Sequence, residues 1–197
     1  MATTQRKRRA TPTNLGFTIP GLDRSTGAAT ARLLQERLVA LIDLSLTLKH
    51  IHWNVVGPTF IGVHTMLDPQ VEAVQVMVDE TAERIAALGA SPNGLPGALV
   101  EMRSWDDYDL MRASTLEHLS ALDHVYGGVI ERHRAVIDEL DSLDPVTQDM
   151  VIGQAAQLEQ FHWFVRAHLE SPDGRLAATG PTTERGAAHR SRSAETG

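Results

Sequence analysis

No cysteine occurs among the 197 residues, which excludes disulfide scaffolds, thiolate metal sites and thiol nucleophiles and fits a reducing, cytoplasmic setting. No run is both long and uncharged enough to cross a bilayer, so no membrane partner is expected. Arg6, Lys7, Arg8 and Arg9 imitate the basic start of a secretory signal, yet residues 10–14 are polar and no apolar segment follows them; export is not expected. Convincing strand patterns and internal repeats are also missing, since His52-Trp53 and His162-Trp163 share only a dipeptide.

What is present is enough for one core. At 42% hydrophobic residues the chain reads most simply as a single domain. Its net charge of −7 is unevenly spread: residues 1–14 carry +4 and residues 171–197 carry +1, leaving −12 on the body between them. An acidic body attracts cations and repels nucleic acid, while a basic arm still reaches a phosphate backbone. Neither end shows helical periodicity, and both read as flexible tails around a body at 15–170.

Within the body the helical period dominates. Leu34, Leu38, Leu41, Ser45, Leu48 and His52 follow steps of three and four and predict a helix over 28–53, stopped by Gly57-Pro58. A second helix spans 59–88 with Gly89 as its cap; residues 91–107, with two prolines and two glycines, form a long connection with room for one short helix. A third helix is expected from about 109 to 140, and a fourth from 145 to 169 behind Asp144 as N-cap. The fold class is therefore all-α: a ferritin-like four-helix bundle with a long crossover between the second and third helices.

Four side chains point to a metal, and their spacing points to two subunits. His52 ends the first helix and His64 lies one turn into the second, so the intervening hairpin brings both imidazoles to one corner. Asp79 and Glu83 share a face of the second helix, but Asp79 lies fifteen residues beyond His64, about 22 Å along the axis. One ion, with ligands about 2 Å away, does not span that. If two such helices cross antiparallel near Glu72 and Ala73, each His64 faces the other subunit's Asp79 and Glu83, and a two-fold axis makes two equivalent sites. Asp68, four residues after His64, either orients its ring or holds a second ion. Imidazole with carboxylate suits iron, manganese or zinc. Taken singly, each of these residues has a plainer role, as a core histidine or a solvated helix face.

A site inside one bundle is the competing arrangement, built from Glu on two helices and Glu-x-x-His on the other two. The chain has one such motif, Glu159 to His162, and no second copy, so His162 reads as structural.

Residues 48–68 (LKHIHWNVVGPTFIGVHTMLD) and 79–89 (DETAERIAALG), with 158–170 (LEQFHWFVRAHLE), resemble the signature of the Dps family, the DNA-binding proteins from starved cells. The likeness covers about 28–170 and leaves out the ends. It implies a hollow homo-dodecamer of ferritin-like subunits whose ferroxidase sites lie at two-fold interfaces, with His52 and His64 from one subunit, Asp79 and Glu83 from its mate, and Asp68 nearby. It also implies oxidation of Fe(II), by hydrogen peroxide in preference to dioxygen, with Fe(III) mineral stored in the cavity. Trp53 is placed beside the site by the resemblance, as interface packing or as an electron donor. Lys49, one turn before His52, either crowds the second iron or is an exposed helix lysine, and His50 reads as surface. Family pores lined by acids near the start of the last helix imply Asp149, then Asp144 and Asp141, as the iron path.

DNA binding in the family depends on variable ends. Here the candidates are Arg6, Lys7, Arg8 and Arg9, and a looser set of Arg185, Arg190 and Arg192, weak singly but multiplied on a particle and sensitive to salt; nucleoid association would follow from it. A solubilising tail or a bracing C-terminal arm is the plainer role. The alternative function is a nucleoid-compacting cage whose site is vestigial or holds zinc; a conventional ferritin lacks its second Glu-x-x-His.

Overall fold

The computed structural model describes residues 15–176 and 183–195, with side chains placed to 191. Two long antiparallel hairpins make the bundle: α1 (Arg24–Asn54) with α2 (Phe60–Ala87), and α4 (Thr115–Leu140) with α5 (Pro145–Leu169). The all-α expectation holds, with a short α3 (Pro96–Met102) in the crossover.

Each helix end has a chemical cause. Asp23 caps α1 by accepting from the Thr26 amide at 2.9 Å, which starts the helix at Arg24 rather than near 28. Pro69 sits inside α2 without breaking it; it forfeits one bond, to the Thr65 carbonyl, on an exposed face. Past α2, the Gly89 amide bonds to Ala86 and the Ala90 amide to Ile85, a Schellman closure. Gly89 has φ +88°, and any Cβ there would run into the Phe17 carbonyl, so glycine is required on two grounds.

Leu41, Leu44, Leu48, Ile51, Leu67, Leu122 and Leu158 are fully buried and fill the core with Tyr126. Each contributes roughly 1.5–3 kcal/mol of transfer free energy. Some polar groups in this interior bond to one another, as where the Tyr126 hydroxyl donates to Gln70 Oε1 at 2.7 Å.

The crossover is strapped down by a stripe on α1. Gln35 exchanges two hydrogen bonds with the Asn93 backbone (2.9 and 2.8 Å), Asp43 accepts two from Arg103 (both 3.1 Å), and His50 Nε2 donates to the Leu110 carbonyl at 2.7 Å. Steps of eight and seven residues keep the three on one helix face. His50 is thus a half-buried strap rather than a surface group.

Three further expectations need correction. The third long helix begins at Thr115, not near 109, because Ser114 and Glu117 form a reciprocal capping box there. Just before it, Val55–Val56 pairs in parallel with Ala113–Ser114, a two-residue sheet joining the end of α1 to the start of α4. Residues 184–195, read as part of a flexible tail, form α6 (Glu184–Glu195) against α4: Ala187, Ala188 and Ser191 are buried, and Ser191 bonds to Ser120. Small residues let that helix approach closely, a signal hidden by its lack of large apolar side chains. Residues 1–14, including Arg6, Lys7, Arg8 and Arg9, lie outside the described residues.

Asp144 both caps α5 and pairs with Arg84, whose Nη2 reaches it at 2.6 Å while Nε reaches Thr147 at 2.8 Å. Burial alone would raise this carboxyl, but the bonds from Thr147 and Arg84 outweigh it and hold its pKa below the usual range. Stability from a depressed carboxyl is present above the unfolded value and lost as pH falls through the folded one. Arg84→Met should therefore cost about 3 kcal/mol at neutral pH by stranding a buried charge, and the gap from the parent should narrow as pH drops below 4; urea titrations across pH measure both.

Candidate metal centre

The elbow between α1 and α2 closes on itself through two histidines. His52 Nδ1 donates to the His64 carbonyl at 3.0 Å, and His64 Nδ1 donates to the His52 carbonyl at 2.9 Å. A carbonyl oxygen only accepts, so each Nδ1 carries a hydrogen and each neutral ring keeps its lone pair on Nε2. Backbone-anchored imidazoles with a free second nitrogen are the arrangement metal sites use to fix ring orientation. The rings stack, centroids 3.6 Å apart and planes inclined by 23°, with Phe60 tilted against His64 at 4.8 Å.

Asp68 completes a cluster in which one donor atom from each of His52, His64 and Asp68 falls within 4.8 Å of the others. Its carboxylate does not orient His64, as one sequence reading held; the His52 carbonyl does that. Asp68 Oδ1 lies 3.4 Å from His52 Nδ1 and accepts from Lys49 Nζ at 2.8 Å. The Lys49 bond, together with the nearby histidines, holds Asp68 below the usual carboxylate range despite some desolvation. Lys49 is therefore not a free surface lysine: it is paired with Asp68, one of the three residues of the cluster.

Asp79 and Glu83 stay away from this cluster, exposed farther along α2. Between them and His64 runs an open stripe of Asp68, Glu72 and Val76; Leu46 and Trp53, 55% and 72% exposed, stand two turns apart on α1.

The bundle interior, by contrast, has no spare carboxylate among the described residues. Buried Asp43 is held by Arg103, Glu117 by the Ser114 amide and Asp144 by Arg84. His162 Nε2 donates to Asp123 at 2.6 Å, and Glu159 accepts from Arg134 at 2.7 Å, so both ends of the lone Glu-x-x-His are engaged by other side chains.

The family model described as a ferritin-like domain matches residues 31–173. The DNA protection during starvation protein of Mycolicibacterium smegmatis is 57% identical over 176 residues, 89% of this chain and 96% of that one. The chain belongs to the Dps family of ferritin-like proteins. Among solved structures, Mycobacterium smegmatis Dps superposes with TM-score 0.85 at 57% identity, covering 87% of this chain and 98% of that chain. DpsA14 from Streptomyces coelicolor gives 0.83 at 56%, covering 85% and 99%.

The remaining candidates fall in different places on this Dps-family fold. Asp144 is corrected from pore lining to a buried cap, 3% exposed and fully engaged. Asp141 is exposed and accepts from Gln148 at 3.3 Å. Asp149 is exposed in a cleft of about 570 Å³ between α2 and α5, which Glu80 also lines. Arg185 Nη2 donates to Asp109 at 2.7 Å and Glu184 accepts from the Asp109 amide at 2.9 Å, tying α6 to the crossover. Arg190 is exposed and has an interaction of its own, while the side chain of Arg192 lies outside the described residues.

Because the Lys49–Asp68 pair is partly exposed, solvent screens it and its release has only a modest effect. Lys49→Met should tighten binding of a probe such as Co(II) at the histidine corner by up to about fivefold, read from its visible absorption; unchanged affinity would mean that Lys49 does not compete.

Proposed function

We propose that the protein is a Dps-type ferroxidase and iron store whose catalytic sites form only between subunits. The observation that carries this reading is the paired anchoring of His52 and His64, which leaves a lone pair on each Nε2 in rings clustered with Asp68 at one end of the exposed face of α2. On that face Asp79 and Glu83, too distant to join them in one chain, meet the histidines of a second copy if the α2 helices cross antiparallel near Glu72. Exposed Leu46, Trp53 and Val76 supply apolar surface for such an interface. Repetition of this contact belongs to a homo-dodecamer.

Fe(II) is the substrate. Asp79 and Glu83 supply charge for the tighter iron, and the imidazoles, with Asp68 in competition with Lys49, serve a weaker second position. Two irons held together give up one electron each, so one hydrogen peroxide is reduced to the level of water without releasing a hydroxyl radical; dioxygen is the slower oxidant. The Fe(III) product is stored in the cavity, reached past Asp149 and Asp141.

Fe(II) added anaerobically, followed by peroxide, should be oxidised rapidly with half a peroxide consumed per iron. An Asp79→Ala, Glu83→Ala variant should lose roughly a hundredfold or more in rate. Equal rates in both proteins would reduce the particle to a scaffold, and tightly retained zinc in place of iron would favour the nucleoid-compacting alternative.

DNA protection by direct binding, in the cytoplasm at the nucleoid, rests on the basic ends. Arg185 is engaged by Asp109 and α6 is packed on α4, so the cluster Arg6 to Arg9 is the arm favoured by this reading. In a low-salt gel shift, deleting residues 1–14 should weaken retardation more than deleting 171–197, and the affinity should fall steeply with salt. A full-length protein that fails to retard DNA sinks the idea.

A further inference from the structure

Far from the metal face in function, α1 lines a cavity of about 290 Å³ with α4 and the segment after α3. Its charged lining consists of Arg37, Arg103 and Arg132 against a single Glu36, an excess of two positive charges on an acidic protein. Arg37 is the unusual member. Its side chain is 3% exposed, and its Nε and Nη1 are buried without a hydrogen-bond partner. A buried guanidinium is normally paired with a carboxylate or phosphate, because its planar fork of donors loses much of its hydration on burial.

The protein's own acids act on it only through charge: Glu36 and Glu139 favour its cationic form, but neither bonds to its buried Nε or Nη1. Glu36 leans instead toward Arg132, at 3.6 Å across the half-exposed mouth. Arg103 is held by Asp43 and Asp107, and Asp43 is thereby committed to it. Burial and then the like charge of Arg132 push Arg37 down to about 10, so it remains a cation at neutral pH. A third orphaned atom belongs to a neighbour of Arg37: buried His133 donates from Nδ1 to the Val129 carbonyl and keeps an unpartnered acceptor at Nε2, and burial followed by Arg37 lowers its pKa to about 4, so it adds no charge at neutral pH.

We propose that this cavity binds a small free oxyanion of the phosphate class, with Arg37 as its floor and Arg132 swinging over its mouth. Arginine suits this ligand because two parallel N–H donors match two phosphate oxygens. The cavity has room for the anion and several waters, each occupying about 30 Å³. The depth of Arg37 favours a free anion over a phosphodiester, which stays on the outside of a rigid duplex. Neither His52, His64, Asp79 nor Glu83 takes part, so the site stands or falls apart from the ferroxidase reading.

The test is equilibrium dialysis of labelled inorganic phosphate against the full-length particle, freed of iron and held at fixed ionic strength with chloride. The expected result is saturable binding of one phosphate per chain, insensitive to added duplex DNA. Arg37→Met should weaken it at least tenfold and Arg132→Gln about threefold to fivefold, while Asp79→Ala, Glu83→Ala leaves it unchanged. Absence of saturable binding, wild-type affinity in Arg37→Met, or displacement by duplex DNA would each overturn the assignment. Should Arg37→Met fail to assemble, exposed Arg132 decides: wild-type affinity in Arg132→Gln overturns the proposal too.

Discussion

Two imidazole–carbonyl hydrogen bonds at one helical elbow set the terms for everything else the molecule does at its metal face. By donating from Nδ1 to each other's backbone, His52 and His64 pin the end of α1 to the start of α2. They also settle which nitrogen of each ring faces outward. The same bonds thus serve folding and chemistry, since the geometry that closes the hairpin is the geometry that presents lone pairs. Distance along α2 then keeps Asp79 and Glu83 out of reach within one chain, which is why the proposed site calls on a second copy.

The bundle could not have held such a site in its interior without a different core. Tyr126, Gln70 and a set of leucines occupy it, and the buried carboxylates are each committed to a cap or an ion pair. Burying further unpaired carboxylates would be costly without metal. Placing the charges on an outer helix face avoids that cost, because exposed Asp79 and Glu83 stay hydrated in the single chain.

Strapping of the crossover is the second structural theme. Gln35, Asp43 and His50 hold the segment between α2 and α4 along one face of α1, while the short parallel pairing of Val55–Val56 with Ala113–Ser114 fixes its far end beside the elbow. α6 adds a further tie through Arg185 and Asp109. A long connection becomes a rigid lid over α1, and the cavity floored by Arg37 lies under its edge.

Much of this was legible in the residues themselves. The leucine period of α1, Gly57-Pro58 as a breaker, Asp144 before Pro145 as a cap, and the spacing of His52, His64, Asp79 and Glu83 are short-range or helix-periodic signals, and a helix converts sequence spacing directly into distance. The start of α4 at Thr115 rests on a local signal, the Ser114–Glu117 capping box, whereas the non-helical order of the crossover before it comes from bonds to α1 some sixty residues earlier. The helix at Glu184–Glu195 was missed because alanine and serine contacts carry no hydropathy signal. The sequence by itself determined the helices, the elbow and the distance along α2 that separates His64 from Asp79 and Glu83. Only the tertiary structure decided that Lys49 holds Asp68, that Asp144 is spent on Arg84, and that Arg37 lies buried without a carboxylate. These depend on which side chains from distant segments share a few ångströms, and helical periodicity does not encode that.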